Sequence, residues 1–323
     1  MLKRNQRWDA LACFRDAFQR LELEGAQATI DLPVDDPKRQ AAVAQLNLAS
    51  VVRSLGKNRL ALHELTDLEQ SRHIGERMHA VVLDRISHCH RCHGFLELAE
   101  HYADEAIAEA RAFGEDRILS VAQFTRGIVA IDQSDHEQSV EYLREAFRSH
   151  REATADELAL ASNPGFEANT LLHLAEAYVN SGFLEKAGRA ARTAKQLGAR
   201  AGLPGPQAYA ELALGELDER AGRHGRAIVR WRRAAQLASA TNNRRLGFCA
   251  EFYVFRQALH RGNQALARAS RRRLERLTPW VPERFPLLDE FNELVSARTP
   301  VAPRPDALRG RARSGGGKEG LTR

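Results

Sequence analysis

Leu174-Ala175-x-x-Tyr178-x-x-x-Gly182-x-x-x-x-Ala187, followed by Ala191 and Ala194, is the stretch that decides the fold. Small and apolar residues recur at three- and four-residue steps on both sides of a glycine. That is the pattern of two helices that cross closely and turn sharply between. A second copy follows, with Leu214-Gly215, Gly222, Ala227, Trp231 and Ala234. A helix pair of this size cannot bury its apolar face alone, so copies must stack on one another.

Working outward, six copies are expected, each with its turn residue at position 15. They start near Ala42, Ala80, Ser120, Ala168, Ala208 and Phe248, about 40 residues apart. Gly56, Gly94, Ser134, Gly182, Gly222 and Gly262 are the turn residues. The step from the third copy to the fourth is longer, and Ala153–Ala168, with the helix-breaking Asn163-Pro164-Gly165, holds the excess. The reading divides the chain into a capping half-repeat helix at 1–23, a loop at 24–39 and six helix pairs at 40–278. A capping helix at 279–298 and a disordered basic tail at 299–323 complete it.

This pattern resembles the tetratricopeptide repeat over roughly residues 40–276, with Gly215 at the small position 8 and Tyr178 at position 11. That family repeats every ~34 residues, so the longer period implies a longer second helix or following loop. Long-period arrays of this kind are similar to the sensor regions of LuxR/MalT-type transcription regulators. The closing residues Glu319-Gly320-Leu321-Thr322-Arg323 resemble the start of a LuxR-type DNA-binding domain. The resemblance implies an all-α, right-handed solenoid whose first helices line a concave groove for a peptide or partner protein. Transferring the family's ligand-facing positions selects Asp84, His88 and Arg91; Asn169, Glu176 and Asn180; Tyr209, Glu216, Glu219 and Arg220; and Phe252, Arg256 and His260. It implies a non-enzymatic scaffold in bacterial signalling or regulation, and, alternatively, the sensor portion of such a regulator.

Composition agrees with close-packed helices: 43% of the 323 residues are hydrophobic and only 7% aromatic. The net charge of +6 conceals a split. Residues 220–276 hold 15 Arg, no Lys and two acids, whereas the first 219 residues are acidic overall. Arg230, Arg232, Arg233, Arg244, Arg245, Arg271, Arg272 and Arg273 form a candidate basic patch for nucleic acid or an acidic partner. Equally, the chain has only six lysines, so a genome-wide preference for Arg codons accounts for much of the excess. Four cysteines without a disulfide framework, and an N-terminus without an apolar core, point to the cytoplasm. No apolar run approaches the ~20 residues that span a bilayer.

Cys89-His90-Arg91-Cys92-His93 matches a haem-attachment string and offers soft metal ligands. On a helix these side chains splay around the axis, so neither haem nor metal is expected. A reactive thiol helped by Arg91 is the remaining chemical reading, against small cysteines packed between helices. Gly315-Gly316-Gly317-Lys318 lacks phosphate-loop spacing, and no catalytic constellation appears. No cofactor is expected.

Overall fold

The computed structural model describes residues 37–54, 57–70, 74–155, 163–281 and 286–296. The expected capping half-repeat at 1–23, Gly56, the tail beyond residue 298 and much of the long third connection lie outside these residues. Among the described residues there are thirteen α-helices and no strand. They form pairs: α1 (Pro37–Ser54) with α2 (Asn58–Glu69), α3 (Glu76–His93) with α4 (Leu96–Ala112), and α5 (Asp116–Asp132) with α6 (His136–Ala155). Then come α7 (Pro164–Asn180) with α8 (Leu184–Arg200), α9 (Pro204–Arg220) with α10 (His224–Ala240), and α11 (Arg244–His260) with α12 (Gln264–Leu277). A short 3₁₀ turn, Thr278–Trp280, leads toward α13 (Pro286–Ser296). Helix α1 begins at Pro37, inside the segment expected to be a loop up to residue 39. Proline at the first helical turn lacks an N–H that the helix would not use, so it starts the helix instead of preventing it.

Eight of the described helices end by one device. The backbone turns left-handed at Gly94, Gly114, Ser134, Gly182, Gly202, Gly222, Asn242 and Gly262. At each, the next residue's N–H donates to the carbonyl five residues back, as in Phe95 to His90 at 3.0 Å and Glu115 to Ala110 at 2.9 Å. This satisfies a carbonyl that the helix end would leave bare. The turns within pairs and the turns between pairs are therefore alike. Their spacing is 20 residues along 94, 114 and 134 and again from 182 to 262. In the fourth and fifth pairs both helices have 17 residues, so the period is set by two equal halves.

The core sits where the second helix of each pair crosses the first. Ala99, Ala103 and Ala106 in α4, Ala187, Ala191 and Ala194 in α8, and Ala227, Trp231 and Ala234 in α10 are all fully buried. Gly127 and Gly215 let the facing residue approach the backbone directly. A Cβ at Gly127 would stand 2.7 Å from Leu143 Cγ. At the last pair the packing turns aromatic, with Phe291 of α13 edge-on to Phe248 and Phe255 at ring separations of 6.1 and 5.5 Å. Each helix from α1 to α11 packs on the next, α13 packs back on α11, and the first helices of neighbouring pairs also touch each other from α1 through α11. Among the described residues the second helices of neighbouring pairs do not come as close. The first helices thus form the inner wall of a curved α-solenoid.

Candidate partner-binding groove

The inner wall carries most of the residues selected by position. Asn169, Glu176 and Asn180 of α7, Tyr209 and Arg220 of α9, and His260 of α11 are exposed. Glu216, Glu219 and Arg256 are half-buried and linked. Glu216 accepts from Arg220 at 3.0 Å within one helix, and Glu219 accepts from Arg256 of the next pair at 3.0 Å. The Arg256 guanidinium lies 5.0 Å from the centre of the Tyr253 ring, close enough for cation–π attraction. Beside Glu176, His173 Nδ1 lies 3.2 Å away, adding a polar group that position transfer did not select.

Two expected groove residues are corrected. Asp84 is 1% exposed and Phe252 fully buried. Both sit at position 5, and neighbouring elements of the stack cover both. Asp84 accepts from Thr125 Oγ1 of α5 at 2.5 Å and from Arg85 at 2.9 Å. Phe252 stacks 6.5 Å from Phe248 and belongs to the core cluster that α13 completes.

His88 and Arg91 are half-buried, within an arginine-rich part of the wall. Arg91 donates to Asp132 of α5 at 2.8 Å. Burial, then the charges of Arg53, Arg91 and Arg85, push the His88 imidazole down to about 2, so it is neutral at physiological pH. Arg53 and Arg85 escaped position transfer. Arg53 occupies position 12 of the first unit, whose poor repeat match hid it, and Arg85 occupies position 6 of the second.

The Cys89–His93 string is not a ligand set in this geometry. Among the described residues no group of three or more His, Cys, Asp or Glu side chains converges as a metal site. His90 stacks on Tyr102 at 5.5 Å, and Cys89 is fully buried. Burial pushes the Cys89 thiol up to about 11, which corrects the reactive-thiol reading for that residue. Cys92 is exposed, with its Sγ 3.4 Å from His88 Nδ1.

The basic patch lies on α10, α12 and the start of α11, and much of it is compensated. Arg230 donates to Asp218 at 2.7 Å and to Glu211 at 3.0 Å. Arg271 pairs with Glu275 at 2.8 Å, and Arg273 with Glu251 at 3.2 Å. Arg244 stacks 3.7 Å from the Trp280 ring centre, and Arg245 is engaged as well. Arg232, Arg233 and Arg272 are exposed, with no carboxylate in ion-pair range among the described residues. An open cleft of about 410 Å³ runs between α10 and α12, lined by Arg244, Arg273 and Arg276 together with Asn242, Asn243 and Glu251. No helix among the described residues is long and apolar enough to cross a membrane.

No protein-family model matches the sequence, and no curated protein does. Solved structures do. A Rap protein complexed with competence and sporulation factor superposes with a TM-score of 0.63 at 14% identity, over 89% of this chain and 78% of that one. BtubC from P. vanneervenii gives 0.53 at 16% identity, over 74% and 92%. A signal-transduction ATPase with numerous domains and a tetratricopeptide repeat sensor, from Pyrococcus horikoshii, gives 0.56 at 18% identity. There the alignment covers 96% of this chain and 48% of that one. Identities this low speak to the fold. With the paired helices, the left-handed turns and the alanine-packed crossings, they make this chain a tetratricopeptide-like α-solenoid.

Proposed function

We propose that the solenoid is a non-enzymatic interaction scaffold, holding a peptide or partner protein along its concave wall, in bacterial signalling or regulation in the cytoplasm. The observation that carries this reading is the solvent-open row Asn169, Glu176, Asn180, Tyr209, Glu216, Arg220 and His260 on successive first helices. These side chains are not consumed by packing, and they combine a half-exposed aromatic ring with donors, acceptors and both signs of charge. An extended segment or an amphipathic helix is read by such a surface without covalent chemistry. The likeness to a solenoid solved with its factor bound supports the same use of the fold.

The test is site-specific photo-crosslinking in the native host. A photoreactive residue at Tyr209 or Asn180 should trap one defined partner, and the same residue at Arg232, on a second helix, should not. Glu216→Lys with Arg220→Glu should diminish the Tyr209 product. Trapping from Arg232 alone would put the interaction elsewhere and sink the reading.

A second reading has its own observation, the alignment of nearly the whole chain with about half of the sensor-bearing ATPase. On it, the solenoid is the sensor portion of a LuxR/MalT-type transcription regulator, with its Arg-rich end against nucleic acid or an acidic partner. Salt-dependent retention on duplex DNA would favour it over the scaffold reading.

A further inference from the structure

The cleft between α10 and α12 is a gap in a seam that other pairs fill. Repeat positions 28 and 40 meet where a second helix faces the following pair. Between the second and third pairs they are Ile107 and Leu119, packed in one apolar cluster with Leu83 and Ala122. Between the fourth and fifth pairs they are Lys195 and Gln207. Lys195 reaches Glu211 at 2.6 Å, and the Gln207 amide donates to the carbonyls of Gly198 and Leu203 at 3.2 and 3.1 Å. Between the fifth and sixth pairs they are Ala235 and Gly247, and both line the cleft of about 410 Å³. The charge changes with the space. Glu211 has two cationic partners, Lys195 and Arg230. Its counterpart Glu251, also at position 4, has Ala235 and Ser270 in their places. Glu251 is 7% exposed and lines the cleft. Among the described residues it accepts from one nitrogen of Arg273, at 3.2 and 3.4 Å. Arg244 and Arg276 line the same cleft, with no carboxylate in ion-pair range among the described residues. An under-used buried carboxylate thus shares a cleft with two uncompensated guanidinium groups, beside the small surface of Ala235, Ala238 and Gly247.

We infer that this cleft binds a nucleoside monophosphate whose base carries an exocyclic amino group. The site lies on the outer side, between second helices, and does not rest on the scaffold reading. A phosphate monoester carries nearly two negative charges at neutral pH, which two free guanidinium groups balance. The amino group supplies N–H donors to Glu251, where Lys195 supplies them to Glu211 in the preceding seam. The flat ring lies on the small residues, which a bulkier floor would not admit. Spacing selects against simpler ligands. Arg244 and Glu251 are seven residues apart on α11, roughly 10 Å along its axis. An α-amino acid bears both charges on one carbon and does not span that distance, whereas the base edge and phosphate of a nucleotide do. A bare phosphate leaves Glu251 unanswered. Adenine and cytosine both carry the amino group, so the chemistry is shared between a purine and a pyrimidine.

The experiment is equilibrium dialysis of the whole chain at matched ionic strength against radiolabelled CMP, UMP, AMP and IMP, with inorganic phosphate as competitor and Tm recorded for each protein. CMP should bind about tenfold more tightly than UMP, or AMP than IMP, because only the amino-bearing base donates to the carboxylate. Which pair shows the difference tells pyrimidine from purine. Ala235→Lys with Gly247→Gln installs the residues of the preceding seam. A Cβ at Gly247 would meet Leu277 at 3.8 Å and Ala238 at 3.9 Å, ordinary contacts, so the helix admits the side chain. That double variant should lose binding with a Tm at or above the parent's, since the lysine then answers Glu251. Arg276→Gln, at an exposed position, should weaken every nucleotide about tenfold. Glu251→Gln should erase the preference for the amino-bearing base and keep binding of the phosphate. If the double variant melts early, these two single variants decide. The inference is overturned by unchanged binding in Arg276→Gln or in a stable double variant, by equal binding of amino-bearing and amino-free bases, or by inorganic phosphate competing as well as the nucleotide. No saturable binding of any nucleotide overturns it too. Duplex DNA retained by a chain that binds no mononucleotide would sink this inference and leave the Arg-rich end to a nucleic-acid backbone.

Discussion

Gly215 and Trp231 pack so closely that a Cβ on the glycine would stand 2.4 Å from the indole Nε1 and 2.6 Å from Cδ1. The largest side chain at any helix crossing thus lies over bare backbone. The indole is fully buried and stacks on Tyr253 of the following pair at 5.4 Å, so it cannot retreat. The equivalent positions of the preceding unit hold Ala175 and Ala191, a small residue facing a small residue. Gly215→Ala should therefore destabilise by about 1–3 kcal/mol, the usual cost of overpacking. Trp231→Ala should cost about 3–5 kcal/mol through the cavity it leaves. In the double variant the glycine substitution should cost much less, because the clash has been removed. Denaturant unfolding of the four proteins measures that coupling; additive effects would mean that the two residues do not clash.

The left-handed turn residues differ in identity. Six are glycines, but Ser134 has φ 64° and Asn242 has φ 53°. A Cβ in this region meets the following carbonyl, at a cost of roughly 1–2 kcal/mol that asparagine partly evades. Ser134→Gly should stabilise by about 0.5–1 kcal/mol, the relief offset in part by the greater freedom of glycine when unfolded. Gly182→Ala, at φ 80°, should destabilise by about 1–2 kcal/mol. Thermal unfolding distinguishes these signs directly. Gly182 has open space around its missing Cβ, so only backbone strain is being measured.

The architecture was legible because a left-handed stop restricts residue choice and a close crossing restricts side-chain size. Both leave marks that one sequence can carry, at Gly182 and Gly222 and at Ala187, Ala191 and Ala194. The turns between pairs were harder to read. Gly114 and Gly202 repeat the same stop, but Asn242 breaks the glycine series, and the true spacing of 20 residues was hidden within a period twice as long. The groove was only partly legible, because a repeat position says which way a side chain leaves the helix and not what the neighbouring helix supplies. Asp84 and Phe252 share position 5 and both turn inward. One found Thr125 and the other an aromatic cluster. Arg53 went unnoticed because the first unit matches the repeat poorly, although the stack gives it the same wall.

His88 makes the stability of the first pairs depend on acid. Its folded pKa is depressed from 6.5 to about 2 by burial and by Arg53, Arg91 and Arg85. Above 6.5 the imidazole is neutral in both folded and unfolded chains, and its contribution is fully present. As pH falls below that value the unfolded chain takes up a proton that the folded chain refuses. Stability then declines by up to about 1.4 kcal/mol per pH unit until the folded pKa is reached. His88→Gln cannot titrate, so the parent and variant curves should converge as acid is added and run parallel above 6.5. Chemical denaturation at several pH values, reported as the difference between the two proteins, cancels the carboxylates common to both. A difference independent of pH would show that the buried imidazole accepts its proton as readily as a free one.

The Arg-rich end allows a quantitative prediction for nucleic acid. Of the eight arginines in the patch, Arg230, Arg271 and Arg273 already face carboxylates, and Arg244 lies on Trp280. Arg232, Arg233 and Arg272 have no such partner among the described residues, and all three are exposed. Each phosphate neutralised releases counterions and adds about 0.9 to the slope of log K against log salt. If this face meets duplex DNA as it stands, three arginines give a slope of roughly −3, and binding fades at physiological salt. Replacing those three with Gln should remove the retention, whereas Arg271→Gln should change it little. A slope near −5 would require Glu211, Asp218, Glu251 and Glu275 to release Arg230, Arg271 and Arg273 on binding. That result would turn the ion pairs into a device that guards the basic face, and Glu251→Gln should then strengthen DNA retention by freeing Arg273.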